Sequence, residues 1–465
     1  MRRRLALLPV LALGVVACSS ATPSPGVKLE PCRLAGEVAA LCGRFDVPEN
    51  RATPDGRRIS LRVAVVPARE ARSEADPIVH LTGGPGGSAI AGAAGMVSLF
   101  SDLNERRDIV LVDQRGTGGS NRLVCPVPRR RLDSEAAVTE YVRACMAALR
   151  ADPRQYTTAT AMDDLAEVLD ALGYDEVNVY GTSYGATAAQ YLLAQHPELV
   201  RTAILDGATL LDAPIFERWA PNSERALRAV LDRCAQSRRC AAAYPRVRQE
   251  AFEAVSALRR RPIRAHGLRI DAATAAGTLH ALTLTADGAA EIPWIAHRAR
   301  VGDWGPLTLA TDRVGDGALE TRQVMFWSIV CNEPWARLRP ARAATASRGT
   351  YLAERWGANV RLLTTACAAV PRVPQPAWSN ARVRSDTPVL LVVGRADPQD
   401  PPRNVANARR ELPNSRTVVV PGAGHVAAHL GCMPRVVQRF LERGSAAGLD
   451  TSCVARYAPP RFVIP

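Results

Sequence analysis

The sequence predicts an α/β fold, in which a mostly parallel central sheet is interrupted by an inserted helical cap. Short apolar runs typical of buried strands alternate with stretches of helical periodicity, as in sheets covered by helices on both faces. This alternation stops between residues 211 and 383 and then resumes. The predicted strands are 59–66, 77–82, 108–113, 177–181, 201–207, 388–394 and 416–422.

Helical periodicity is clearest before the fourth strand and near the end of the chain. In 161–173, apolar residues recur on one helical face, and 433–444 has the pattern of a closing helix. The Arg- and Ala-rich segment between the two parts of the sheet is also helical in pattern. We therefore expect two sheet-forming parts, 32–210 and 384–465, and a cap over 211–383.

Composition favours a globular protein and gives no sign of a nucleic-acid partner. The 465 residues are 47% hydrophobic and 22% charged, which is ordinary for a folded domain. The net charge is +14, but the basic residues are scattered and Lys28 is the only lysine. Nucleic-acid-binding proteins concentrate basic residues on one face or helix, so no such partner is predicted.

The N-terminus has the features of a secretory signal. Arg2–Arg4 precede an apolar stretch over 5–17 that is too short for a comfortable membrane span. Val15–Cys18 resembles the bacterial lipobox, in which the cysteine is lipidated and the chain is cut before it. We expect 1–17 to be removed and Cys18 to anchor the protein to the bacterial cell envelope, at the outer membrane, its periplasmic face or the cell surface. An ordinary signal peptide is the alternative.

The Ser- and Pro-rich segment 18–31 is predicted to be a flexible tether. Beyond Cys18 the chain has ten cysteines, and an even number in an exported protein predicts disulfides. Because no CxxC occurs and no histidine lies at ligand spacing from a cysteine pair, a zinc site is disfavoured, and no metal or other cofactor is expected. The pairs predicted from proximity are Cys32–Cys42, Cys125–Cys145, Cys234–Cys240, Cys331–Cys367 and Cys432–Cys453.

The segment Gly181-Thr182-Ser183-Tyr184-Gly185 follows a predicted strand and opens a predicted helix. A sharp strand-to-helix turn lifts the central serine off the sheet edge and tolerates only small residues two places to either side. Ser183 is therefore the candidate nucleophile. The alternative is a serine that only caps the helix.

A serine hydroxyl needs a base oriented by a carboxylate. Asp397 follows a late strand, and His425 lies in a Gly-rich loop after the last strand, so these two residues are predicted to complete a Ser-His-Asp triad. Asp400 is the rival carboxylate. His429 is expected to be a packing or surface histidine.

A glycine-rich loop over 82–88 follows another strand. Backbone N–H groups in such a loop can approach a developing oxyanion because no Cβ blocks them. The amides of Gly84 and Tyr184 are the candidates for this role. A phosphate-binding loop is disfavoured, since no Lys-Ser/Thr follows and the spacing is not GxGxxG.

Taken in order, GGPGGS, DQRGTGGS, GTSYG, GRADPQDPP and GAGH resemble motifs of the α/β-hydrolase peptidases of the proline iminopeptidase and tripeptidyl aminopeptidase type. The resemblance implies an α/β-hydrolase fold and a secreted serine exopeptidase. It also implies that Asp113 and Arg115 support the site structurally. Thr82 and Asp400 depart from the family pattern, which often has His and Thr there.

An aminopeptidase must recognise a free N-terminal ammonium, for which a buried carboxylate is the natural counter-ion. Glu333 stands after a cysteine where tripeptidyl-type relatives carry an acidic residue, and the resemblance implies this role for it. The alternative is an acid of the surface or of the disulfide loop.

The function expected from the sequence is hydrolysis of peptides from a free N-terminus through an acyl-enzyme. A carboxylesterase would use the same triad, but the loop is not of the HGGG type. A dehalogenase or epoxide hydrolase would have Asp in place of Ser183. A non-catalytic surface lipoprotein would not need all of these residues.

Overall fold

The computed structural model describes residues 26–70, 74–126, 134–265, 267–315 and 323–464. The predicted signal peptide and Cys18 lie outside these residues. Within them, a single large sheet has the strand order β1-β2-β3-β5-β4-β6-β7-β10-β11, and β8 and β9 form a separate hairpin. The strands are β1 Leu29–Leu34, β2 Val38–Pro48, β3 Arg58–Val66, β4 Ile78–Leu81, β5 Ile109–Val112, β6 Val177–Thr182, β7 Val200–Asp206, β8 Ile263–Ala265, β9 Leu268–Ile270, β10 Val389–Gly394 and β11 Ser415–Val420.

The predicted α/β fold is confirmed, and all seven predicted strands are present. The sheet is antiparallel from β1 to β5 and parallel from β5 through β4, β6, β7 and β10 to β11. Strands β4, β5 and β10 are buried along their whole length. Their continuous apolar runs are explained by helices on both faces of the sheet.

The N-terminal hairpin β1–β2 was not predicted, and it corrects one boundary. The tether predicted over 18–31 includes Leu29–Pro31, yet these residues pair with Leu41–Gly43 in the sheet. The tether prediction is therefore wrong for its last three residues. The Ser- and Pro-rich composition of the tether ends before Leu29. The strand that follows is half exposed and has little hydrophobic pattern, so its start cannot be recognised from the sequence.

Helices cover both faces of the sheet, and the described residues between 211 and 383 are mainly helical, as predicted. None of the described helices has the length and apolar character needed to cross a membrane. The helices are α1 Ala93–Leu99, α2 Glu135–Ala148, α3 Thr158–Leu172, α4 Tyr184–Gln195, α5 Trp219–Gln236, α6 Arg238–Ala243, α7 Val247–Arg260, α8 Ala272–Thr283, α9 Ala286–Arg300, α10 Gly305–Val314, α11 Gln323–Asn332, α12 Pro340–Ser347, α13 Ala353–Ala369 and α14 Met433–Arg443.

The ten cysteines lie in the five pairs predicted from their spacing. Their Cα atoms are 5.1–6.4 Å apart, within the range that a disulfide can bridge. The pair Cys331–Cys367 joins α11 to α13 inside the cap. It therefore fixes the helix end that leads to Glu333.

Candidate active site

Ser183 lies at the turn between β6 and α4 with φ 55° and ψ −121°. Such a positive φ is uncommon for a residue other than glycine and persists only where the surroundings enforce it. A Cβ on Gly185 would lie 1.8 Å from the Leu81 carbonyl oxygen, and one on Gly181 would lie 2.4 Å from the Gly185 carbonyl oxygen. The backbone approaches so closely on both sides of the turn that only glycine fits.

The structure brings His425 and Asp397 together. Nδ1 of His425 lies 2.8 Å from Oδ2 of Asp397, while the other carboxylate oxygen accepts the backbone amides of Gln399 at 2.8 Å and Asp400 at 2.9 Å. These contacts fix the carboxylate and place the imidazole proton on Nδ1. The Nε2 atom of His425 is buried without a hydrogen-bond partner among the described residues. This nitrogen is therefore available to accept a proton, as the base of a Ser-His-Asp triad does.

Charge around His425 favours its protonated form. Burial alone would lower the pKa of His425, but the carboxylates of Asp397, Asp400 and Asp206 raise it to about 9. Burial would raise the pKa of Asp397, yet the charge and hydrogen bond of His425 bring it below its ordinary value. Asp397 therefore stays ionised and can stabilise a positive charge on the imidazole.

Asp400 takes the outer position beside the same imidazole. Its Oδ2 lies 3.6 Å from Nδ1 of His425, and it accepts a hydrogen bond from Thr209. Burial raises the pKa of Asp400 to about 7, against the effect of His425 and with that of Asp397. The shorter and better-supported contact belongs to Asp397, so Asp400 modulates the base and does not orient it.

Of the groups in the described part of the chain, Asp397, Asp400 and His425 are close enough to hold a metal ion, with ligand atoms within 4.8 Å of one another. The 2.8 Å contact between Nδ1 and Oδ2 has the geometry of an N–H donor bound to a carboxylate. This arrangement is complete as an acid–base pair.

We expect Asp400→Asn to shift the acidic limb of the kcat/KM profile to lower pH by about one unit, because an opposite charge at this distance raises a pKa by that order. Removing the negative charge lowers the pKa of His425, and the neutral base then exists at lower pH. The profile of Asp386→Asn, the same change at an exposed position, should match that of the wild type. A limb that does not move would contradict this role.

Asp206, which the sequence analysis missed, connects the nucleophile to the histidine loop. Its backbone oxygen accepts the Ser183 amide at 2.9 Å. Its carboxylate accepts the amides of Ala427 and Ala428 at 2.7 and 2.9 Å and the hydroxyl of Tyr180 at 2.9 Å. The available signal was an acidic residue at the carboxyl end of a predicted parallel strand.

The cap also contacts the histidine loop. The His425 amide donates to the Leu284 carbonyl at 2.8 Å. A Cβ on Gly424 would lie 2.5 Å from the carbonyl oxygens of both Thr283 and Leu284. The junction between α8 and α9 is therefore packed directly onto the backbone that carries the base.

The glycine loop lies against the nucleophile. A Cβ on Gly83 would lie 3.0 Å from the Ser183 Cβ, and Gly84 has a φ of 136°. Asp113 holds the next part of this loop, since its Oδ1 accepts the Ser88 hydroxyl at 2.6 Å and the Ile90 amide at 3.2 Å. The backbone next to Ser183 is thus supported from below, where the oxyanion amides of Gly84 and Tyr184 are predicted.

Arg115 is fully buried beneath the site. Its guanidinium binds the Asp164 carboxylate through two hydrogen bonds of 2.6 and 2.7 Å and donates to the Glu49 and Gln155 carbonyls at 2.7 and 2.9 Å. These contacts join the turn after β5 to α3. They are structural, as the motif resemblance implied.

A cleft with a cavity volume of about 140 Å³ contains the nucleophile. This is similar to the ~150 Å³ of a cavity that accepts one benzene ring, so there is room for about one substrate side chain. Its lining includes the polar residues Ser183, Glu333 and Asp400 and an apolar wall. The apolar wall is formed by Leu210, Leu211, Ala213, Ile215, Phe216, Trp219, Phe326, Ile329 and Val330.

Glu333 lies in the wall of this cleft and is only 6% exposed. Its carboxylate accepts the Thr158 amide at 2.9 Å and the Thr158 hydroxyl at 2.7 Å. Burial raises the pKa of Glu333 to about 7, although the Thr158 and Tyr191 hydrogen bonds and the charge of Arg337 oppose this effect. Across the described ranges, no Lys, Arg or His lies within ion-pair distance of it.

Comparison with known proteins agrees with this geometry. Residues 76–240 match the α/β-hydrolase fold family and residues 353–453 match the family of TAP-like proteins. Serine protease Hip1 of Mycobacterium tuberculosis is 29% identical over 273 residues, which cover 50% of this chain and 52% of that protein. A tripeptidyl aminopeptidase of Streptomyces coelicolor is 27% identical over 217 residues, which cover 42% and 40% of the two chains.

The chain spans about half the length of the curated relatives it matches. These matches confirm the resemblance drawn from the motifs, and the strand order and the turn at Ser183 agree with them. The chain therefore has the α/β-hydrolase fold, with a TAP-like segment at residues 353–453, and it resembles the serine peptidases of that fold.

Proposed function

We propose that this protein is a serine exopeptidase that hydrolyses peptides from a free N-terminus, and that it needs no cofactor. The observation that carries the proposal is the buried Glu333 carboxylate in the same cleft as Ser183, without an ion-pair partner among the described residues. A peptide ammonium would supply the missing positive charge. The names of the relatives, a serine protease and a tripeptidyl aminopeptidase, favour the same chemistry.

The proposed reaction begins when His425, oriented by Asp397, accepts the Ser183 proton through Nε2. The serine oxygen attacks the scissile carbonyl, and the amides of Gly84 and Tyr184 stabilise the oxyanion. His425 then donates the proton to the leaving amine. The amine departs as the C–N bond breaks, and the acyl group remains on Ser183. Water repeats the attack and releases the acyl part with a restored serine.

The position of Glu333 suits recognition of the substrate's amino end. Both carboxylate oxygens are held by Thr158, so the group cannot move away to solvent. A bound ammonium would lower the raised pKa of Glu333, because an opposite charge favours the ionised form. Because the acid is about half protonated near pH 7, part of the interaction energy with a free amine is used to ionise it.

We expect Glu333→Gln to raise KM for peptides with a free amine about 10–100-fold, the range for a lost hydrogen bond to a charged group. In the wild type this KM should also rise below pH 7, as Glu333 becomes protonated. Both effects should be absent with p-nitrophenyl esters. The measurement is a panel of free and N-blocked peptidyl-aminomethylcoumarins beside these esters.

Glu140→Gln, the same substitution at an exposed residue of α2, serves as the matched control. Equal losses on amine and ester substrates would contradict the role of Glu333. Release only from esters would show a carboxylesterase instead. Turnover of none of the substrates would favour a non-catalytic binding module.

We also propose that the protein acts outside the cytoplasm, exported and anchored to the cell envelope through lipidated Cys18. The support is the set of five cysteine pairs at bridging distance, since disulfides persist in oxidising compartments. An enzyme at that location would meet peptides that reach the envelope.

A further inference from the structure

Three arginines beside the cleft lack a carboxylate partner. Arg218 and Arg225 lie on one helical face with Asn222, because their spacing is i, i+4, i+7 across the start of α5. Arg403 approaches the same face from the loop after β10. In the part of the chain that the structure describes, none of the three forms an ion pair, and neither does their sequence neighbour Glu217.

One buried amide holds two of these cations together. The side-chain oxygen of Asn222 accepts hydrogen bonds from Arg225, at 2.9 Å, and from Arg403. The Asn222 side-chain nitrogen donates to the Gln399 carbonyl at 3.1 Å, and Asn222 is only 1% exposed. The charges of Arg225 and Arg403 are therefore held beside a neutral amide, which cannot neutralise them.

The environment of Arg403 reflects this excess of positive charge. Its Nε atom is buried without a hydrogen-bond partner among the described residues. Burial and the charges of Arg225 and Arg218 lower the pKa of Arg403 to about 10. An anion placed here would satisfy the buried donor and relieve the repulsion between like charges.

The cluster lies on the histidine side of the cleft. Arg218 stands between Phe216 and Trp219, which line the cleft. Arg403 follows by three residues Asp400, whose carboxylate is 3.6 Å from Nδ1 of His425. Glu333, by contrast, is held by Thr158 at the start of α3. Since His425 delivers the proton to the leaving amine, the leaving part of a peptide must lie on the histidine side.

We propose that Arg218, Arg225 and Arg403 form a binding site for a carboxylate in the leaving part of a peptide substrate. Guanidinium groups suit this ligand because their planar donors match a carboxylate. The carboxylate is either the C-terminus of a short peptide or an acidic side chain. This inference rests on the proposed exopeptidase function, and together the two charged ends would select short peptides that carry both a free amine and a carboxylate.

The test compares the wild type with the double variant Arg218→Gln/Arg225→Gln, both exposed positions, on matched peptides with a free amine. One peptide has a free C-terminus, one an amidated C-terminus, one an amidated C-terminus with Asp in the leaving part, and one has aminomethylcoumarin as leaving group. We expect kcat/KM to fall about 10–100-fold for a carboxylate-bearing peptide, the range for charge-assisted hydrogen bonds. The coumarin substrate should be unaffected.

The peptide that loses activity identifies the carboxylate: the free C-terminus or the Asp side chain. Arg239→Gln/Arg260→Gln, which removes the same charge from exposed cap positions, should leave all rates unchanged. Equal losses on all substrates, or no loss on any, would overturn the proposal. If the wild type cleaves none of them, the exopeptidase function fails separately. Preferential binding of the carboxylate peptide over its amide by Ser183→Ala protein then decides the anion site.

Discussion

Replacing Ser183 with Ala is expected to lower kcat by about 10⁴–10⁶-fold, the scale on which loss of a serine nucleophile acts in such triads. The substitution removes the oxygen that forms the acyl-enzyme and leaves His425 with no proton to accept. Folding should be preserved, because the backbone at this turn is enforced by Gly181 and Gly185 and not by the hydroxyl. The measurement is peptide hydrolysis together with covalent labelling by a fluorophosphonate probe.

Ser379→Ala provides the matched control for labelling, since Ser379 is another serine in the wall of the same cleft. That variant should still be labelled, whereas Ser183→Ala should not. If Ser183→Ala retained the label, or if the label were mapped by mass spectrometry to another residue, the nucleophile would be assigned wrongly.

Replacing Asp397 with Asn is expected to lower kcat by about 10⁴-fold, because the amide favours the wrong imidazole tautomer and cannot stabilise the imidazolium. The Asn side chain keeps the size of Asp and can still accept from the amides of Gln399 and Asp400. The loss should therefore appear in turnover and leave the thermal unfolding midpoint nearly unchanged. Steady-state kinetics beside thermal unfolding separate the two effects.

Asp400→Asn should have a much smaller effect on turnover than Asp397→Asn. Both carboxylates are buried beside His425, but only Asp397 lies at hydrogen-bond distance from Nδ1. Asp400→Asn should keep most of the maximal rate and move only the pH profile. If Asp400→Asn proved the more damaging change, the roles of the two carboxylates would have to be exchanged.

The sheet was predictable because most of its strands are buried on both faces and appear as continuous apolar runs. The hairpin β1–β2 was not, since its half-exposed residues have no such run and its position depends on pairing with β3. The order of the strands is also a tertiary property. Neighbours such as β4 and β6 are separated in sequence by β5, and hydrophobic pattern alone carries no information about that.

The site residues were predictable to the extent that each stands in a local motif. Ser183 needs a tight turn, and the oxyanion loop needs glycine, so both leave a signature in the sequence. Leu284 leaves none, and Asp206 leaves only its position at the end of a strand, because both residues act through contacts with loops far away in the chain. The arginine cluster also leaves no pattern in the sequence, because Arg225 and Arg403 are far apart in the chain and meet only through Asn222.

The hydrogen bond between the Leu284 carbonyl and the His425 amide has a consequence for protein engineering. The cap supports the loop that carries His425, and only glycine at position 424 leaves room for this contact. A chimera with another relative's cap would have to retain the turn around 283–284, or it would keep every triad residue and still lose the alignment of the imidazole.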